Sequence, residues 1–194
     1  MPSEVTEEFI IIVAVVLIGL VLFGFTMMYF VPHEIFSLAQ QQASSISSST
    51  TISVGPLISN SVNASTVIEV YNPALSGNVT LIVFPEPSYL QQDVGLVTPQ
   101  SLPQSSIYLS NFSVYLSNGK LAKSLSINVP IYDVSGKIVY GSQITAYTVP
   151  FNTPVTVIVN GVNGNNYILI VWVLYNSNGY WFRIGYTFTG APST

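Results

Sequence analysis

The sequence predicts an N-terminal hydrophobic α-helix followed by an all-β antiparallel sandwich. Three observations carry that expectation. Phe9–Val31 (FIIIVAVVLIGLVLFGFTMMYFV) is a run of 23 residues without a charge. From Ile52 onward the pattern changes to short runs rich in Val, Ile, Thr, Tyr and Phe, separated by Asn-, Gly- and Pro-containing turn signals. Between those runs no helical period intervenes, which is the pattern of strands paired in a sandwich.

Taking the elements in order, Met1–Glu8 is short and acidic, with Glu4, Glu7 and Glu8 placed where carboxylates favour the positive end of a helix dipole. At about 1.5 Å per residue, the apolar run that follows matches the roughly 30 Å hydrocarbon core of a bilayer. It is longer than the apolar region of a signal peptide, follows acids instead of a basic segment, and runs into Met27, Met28, Tyr29 and Phe30 with no small-residue cleavage site. We therefore expect a tether or an assembly helix. Ala14, Gly19 and Gly24 are its small residues, the candidates for close helix packing, although they form no GxxxG pattern. Neither flank carries Lys or Arg, so charge gives no membrane orientation.

Pro32 is expected to end or kink this helix. Beyond it, Ile35, Leu38, Ala39, Ala43 and Ile46 recur at three- and four-residue steps, the apolar stripe of an amphipathic extension that packs either on the chain's own β domain or on the stripes of other subunits. Ser44–Thr51 is low in complexity and reads as a flexible joint. The expected division is a helix over 1–46 (apolar 9–31, amphipathic 33–46), a Ser/Thr joint over 47–51 and a β domain over 52–194.

Candidate strands are Thr66–Tyr71, Asn78–Phe84, Phe112–Leu116, Ser124–Val129, Lys137–Tyr140, Gln143–Val149, Val155–Val159, Tyr167–Tyr175 and Tyr180–Phe188. The last two read as a hairpin around Asn176-Ser177-Asn178-Gly179. Tyr167–Tyr175 (YILIVWVLY) does not alternate, so it is expected to be central and covered on both faces, with the Ile35–Ile46 helix as one cover. Pro85–Ser106 contains four prolines and reads as an irregular stretch pinned by Tyr89, Leu90, Val94 and Leu96, either a surface covering or a contact to a neighbour or surface target.

Composition narrows function by exclusion. Charged residues are 6% of the chain, four basic against eight acidic, and polarity comes from Ser, Thr, Asn, Gln and Tyr. Such a surface suits an exterior location, a glycan coat or burial against identical copies. Four scattered cations cannot track a phosphate backbone, so no nucleic-acid partner is expected. With no cysteine and a single histidine, His33, there is no disulfide framework, thiolate metal site or hydrolase triad. We expect no catalytic residues, no metal, no cofactor and no enzyme activity. The sequons at Asn63, Asn78 and Asn111 allow N-glycosylation wherever they are exposed outside the cell.

The order of hydrophobic helix, amphipathic extension, Ser/Thr joint and β domain resembles the archaeal type IV filament superfamily: pilins, archaellins and membrane-anchored archaellum accessory proteins. The stretch PFNTPVTVIVNGVNGNNYILIVWVLYNSNGYWFRIGYTF is similar to the closing strands of their immunoglobulin-like domains. The resemblance implies an immunoglobulin-like sandwich, other copies or related filament subunits as partners of the helix, a surface location, and contact with the membrane or a surface layer. In one respect the chain departs from the pilin pattern, because no Lys or Arg of a basic leader precedes Lys120. Two expectations stay open: a processed filament subunit, or an accessory that keeps its helix in the membrane. A single-pass anchored binding module is the alternative.

Overall fold

The computed structural model describes residues 2–59, 63–99, 112–160 and 167–190. One apolar helix is followed by a β-rich region with two sheets. The chain divides into two compact units, Met1–Ala39 and Gln40–Thr194, so the boundary falls inside a helix and not at the serine run.

The helical region is α1 (Pro2–Phe25), a π-helical turn (Thr26–Phe30) and α2 (Val31–Ser49). The helix does not end at Pro32. In α geometry the proline ring would clash with the carbonyl four residues back, at Met28, and that carbonyl would lose its donor. The wider turn just before it, closed by Val31 N–H to the Thr26 carbonyl, accommodates the proline without breaking the helix.

The β strands are β1 (Thr51–Val54), β2 (Ile58–Ser59), β3 (Asn63–Tyr71), β4 (Asn78–Pro87), β5 (Phe112–Tyr115), β6 (Lys123–Ile127), β7 (Ile131–Asp133), β8 (Ile138–Tyr140), β9 (Ile144–Pro150), β10 (Val155–Asn160), β11 (Tyr167–Ser177) and β12 (Tyr180–Thr189). The first sheet runs β1-β3-β10-β5, with β2 also on β3. The second runs β6-β9-β4-β11-β12-β7-β8. All pairings are antiparallel except β7 with β12, which are parallel, a departure from the fully antiparallel expectation.

The second sheet is curled. Ile127 ends β6 and Ile131 begins β7, so four residue steps, at most about 14 Å, join them. In a flat sheet their strands would lie five spacings apart, about 24 Å. The sheet must therefore bend round on itself, and the residues on its inner face form one cluster. Ile168, Ile170, Trp172 and Leu174 of β11 meet Ile127, Ile131, Tyr140 and Ile144 from both ends of the sheet, and Val94 and Val97 close the opening. Trp172 is fully buried there, edge-on to Phe84 at 5.5 Å and to Tyr140 at 6.4 Å. This inner face covers that side of β11; Gln42 of the helix reaches β11 on its other face, at Ser177. The other side, with Leu169, faces the first sheet, where Ala64 and Val159 line a small gap against it and Pro85.

Two proline positions show how local chemistry fits this arrangement. The stretch expected to be irregular from Pro85 instead continues β4 to Pro87, opposite Leu169 and Tyr167 of β11. A proline has no N–H for a ladder, and β9 pairs β4 from Asn78 to Leu81, so beyond that point β4 has one strand neighbour among the described residues and tolerates proline. A 3-10 helix, Ser88–Asp93, follows. Val94 is buried and Leu90 half-buried, but Tyr89 and Leu96 are exposed and pin nothing.

Candidate functional site

Within the unit Met1–Ala39, the feature that demands explanation is the apolar helix. From Val5 to Val31 twenty large apolar side chains stand exposed, and the most apolar 18-residue window has none of its residues buried. Burying a single Leu, Ile or Phe is worth about 1.5–3 kcal/mol, so a row of this length cannot rest in water. The helix is long and apolar enough to cross a membrane. Beyond Thr6 the stretch carries two hydroxyls: that of Thr26 donates to the Leu22 carbonyl at 2.8 Å, and that of Tyr29 stands on an exposed side chain. Phe25, Tyr29 and Phe30 form an aromatic knot with centroids 5.6–6.0 Å apart.

Of the small residues, Ala14 and Gly19 are exposed and Gly24 half-buried. An added Cβ at Gly19 or Gly24 would meet nothing within 4 Å. Successive members lie five residues apart, and at about 100° per residue they are spread around the helix and do not line one stripe.

The second unit contains the last turns of α2, and here the serine run departs from the expected joint. Ser47–Ser49 are helical, and the helix end is fastened to the sheets by side-chain bonds. Gln40 Nε2 donates to the Val134 carbonyl at 3.1 Å, Ser177 Oγ donates to Gln42 Oε1 at 2.6 Å, and Ser47 Oγ donates to the Ile184 carbonyl at 2.5 Å. That carbonyl is available because Ile184 is the extra residue of a bulge in β12: Val173 pairs with Gly185 and Leu174 with Arg183, leaving Ile184 outside the register. Ala43 and Ile46 are buried beneath the same turns.

Asn72, fully buried after β3, completes the attachment. Its Nδ2 donates to Ser49 Oγ at 3.0 Å and Thr50 Oγ1 at 2.9 Å, and lies 3.5 Å from the Ile46 carbonyl. Its Oδ1 accepts from Ala74 N–H, closing an Asx turn, and its own N–H donates to Asn152 Oδ1 at 2.7 Å. Asn152 holds a positive φ of 59° and bridges back to the carbonyls of Val70 and Leu75. The sequence marks Asn72-Pro73 only as a turn; its role as a clamp on the helix end depends on contacts far along the chain.

Of the three sequons, Asn78 is exposed at the start of β4, Asn63 is half-buried at the start of β3, and Asn111 lies outside the described residues.

No family model matches the chain, and no curated protein matches it. Among solved structures, the human F-spondin reeler domain aligns at 8% identity over 74% of this chain and 89% of that one, with a TM-score of 0.34. A likeness that loose carries no argument about fold or function.

Proposed function

We propose that this chain is a structural subunit or accessory of an archaeal type IV pilus-like or archaellum-like surface filament. Its N-terminal helix packs with copies of itself or related subunits, or stays in the membrane. The β domain, read as immunoglobulin-like, stands outside the cell as a wall or a contact to the surface layer, with Asn78 as the best-placed glycan acceptor. The observation that supports this reading most is the uncharged row from Phe9 to Val31, exposed at every residue but half-buried Gly24 and continuous with a helix end held in the β domain by Asn72. A row of that kind needs lipid or other helices around it, and a firmly held helix end would pass load to the domain it carries.

The test is mechanical shear of cells, with mass spectrometry of the released fraction and a reading of the chain's N-terminus. Abundant chain in sheared fibres is the expected result for a filament subunit. Chain found in the membrane pellet alone, with its helix intact, makes it an anchored accessory or a membrane-tethered binding module and removes polymerisation.

A further inference from the structure

Two of the four cations in the chain, Lys137 and Arg183, line a single open pocket of about 190 Å³. Its apolar wall is Leu96, Ile138 and Val139, and Thr98 and the carboxylate-bearing Asp133 line it too, so its two cations face one acid. The bulge at Ile184 builds the site. Arg183 and Tyr186 are three apart and would point to opposite faces of a regular strand. The extra residue sets both on the Trp172 face, because Leu174 pairs with Arg183 and Trp172 with Tyr186. The guanidinium consequently lies over two rings, 4.8 Å from the centroid of Trp172 and 5.0 Å from that of Tyr186.

Arg183 Nη1 donates to the Gly95 carbonyl at 3.2 Å, which uses one of five guanidinium N–H groups. Asp133, its register partner on β7, does not take the rest. Its Oδ1 is committed to its own turn, accepting from Ser135 N–H at 2.9 Å, Ser135 Oγ at 2.6 Å and Lys137 N–H at 3.0 Å. Burial lowers the Arg183 pKa from its ordinary value, with Tyr186 and Asp133 acting in the opposite sense; an arginine nonetheless stays charged. A rigid, stacked guanidinium with unused donors, beside an ammonium, is the arrangement that recognises a planar anion.

We propose that this pocket binds a carboxylate, and that its size limits the ligand to about one acidic side chain or a short acid. Most sites for whole small molecules exceed about 300 Å³, which this one does not reach. The carboxylate can come from a free acid or from an acidic residue of another copy. The inference is independent of the filament reading.

Arg183 is the chain's single arginine, so its Nε–H gives one assignable NMR signal. The full-length chain in detergent micelles is titrated with N-acetylglutamate and, separately, with its neutral isostere N-acetylglutamine. The expected result is a saturable shift of the Arg183 signal with the acid and at least about tenfold weaker binding of the amide. Read at Gly95 N–H, Arg183→Lys is expected to weaken the acid about tenfold, because it keeps the charge and loses the fork. Lys137→Met, at an exposed turn, weakens it several-fold and keeps the test open if the arginine variant fails to fold. A shift that already exists without ligand and reverses on dilution assigns the carboxylate to a second copy; its absence assigns it to a free acid. Equal binding of acid and amide overturns the proposal, as does the absence of a saturable shift at concentrations on the order of tens of millimolar.

Discussion

The amide nitrogen of Asn72 lies 3.0 Å from Ser49 Oγ, joining the turn after β3 to the last residue of α2 across 23 positions of sequence. Asn72→Ala removes this bond, the bond to Thr50 and the acceptor of the Asx turn, in a site with no solvent to replace them. We expect a loss of about 2–3 kcal/mol in denaturant unfolding. Faster amide exchange should be confined at first to Gln40–Thr50. A variant with unchanged exchange there would show that Asn72 does not hold the helix end.

Gly185 and Ile52 test how tightly β12 meets β1. A Cβ added at Gly185 would come 2.6 Å from Ile52 Cδ1, the tip of a flexible side chain. Gly185→Ala should cost about 1–2 kcal/mol, as overpacking does. Ile52→Val deletes the offending methyl, so the double variant should recover most of that loss. Simple additivity of the two would place the strain elsewhere.

Charge placed in the exposed helix reads out its solvent. Leu17→Arg should raise the cost of placing the helix at the centre of a bilayer by about 3 kcal/mol, moving chain from the membrane fraction to aggregates in fractionated cells. If retention is unchanged, the helix is not in lipid at that point.

Asp133 sets a defined acid dependence. Its partial burial raises its pKa, but the hydrogen bonds from Ser135 and Lys137 and the charge of Arg183 outweigh this, and the net result lies below the ordinary 3.8. A depressed folded pKa means stability that is fully present above 3.8 and is lost as pH falls through the lower folded value. Asp133→Asn should flatten the unfolding midpoint over that window and leave its pH dependence above about pH 5 unchanged. The carboxylate is largely exposed, so the effect is small, and an identical acid profile in the variant would assign the window to other carboxylates.

On native material, intact-mass and peptide mapping should find glycan on Asn78 ahead of half-buried Asn63. Both asparagines bare would remove the glycan coat from the functional reading.

The strands were legible wherever β-branched runs were bounded by turn residues. The hairpin expected around Asn176-Ser177-Asn178-Gly179 forms with a shorter loop, Asn178-Gly179 with φ values of 52° and 87°, because β11 runs on to Ser177. Very short strands such as β2 and β7 left no such trace, because two or three residues hold no period. The curl of the second sheet was invisible because it follows from which strands pair, and Ile127 and Ile131 look like ordinary neighbours across a turn. The serines misled for a physical reason. Low helix propensity marks Ser44–Thr51 as a joint, yet Ser48, Ser49 and Thr50 return hydroxyls to helix carbonyls at 2.7–3.2 Å, and Asn72 and Ile184 supply the rest from distant sequence. Arg183 carried no signal at all, since its value depends on a bulge one residue away.

The wide turn before Pro32 also fixes an angular phase. A π turn holds one more residue than an α turn, so side chains of Val5–Phe25 are displaced around the axis, relative to Val31–Ala39, from where an unbroken α-helix would put them. Replacing Pro32 so that the turn healed would swing every upstream apolar side chain by about 100°, more than a quarter of a circle. Length, composition and hydropathy upstream would be unchanged. Any neighbour that reads the helix by the direction of its side chains would meet a different molecule.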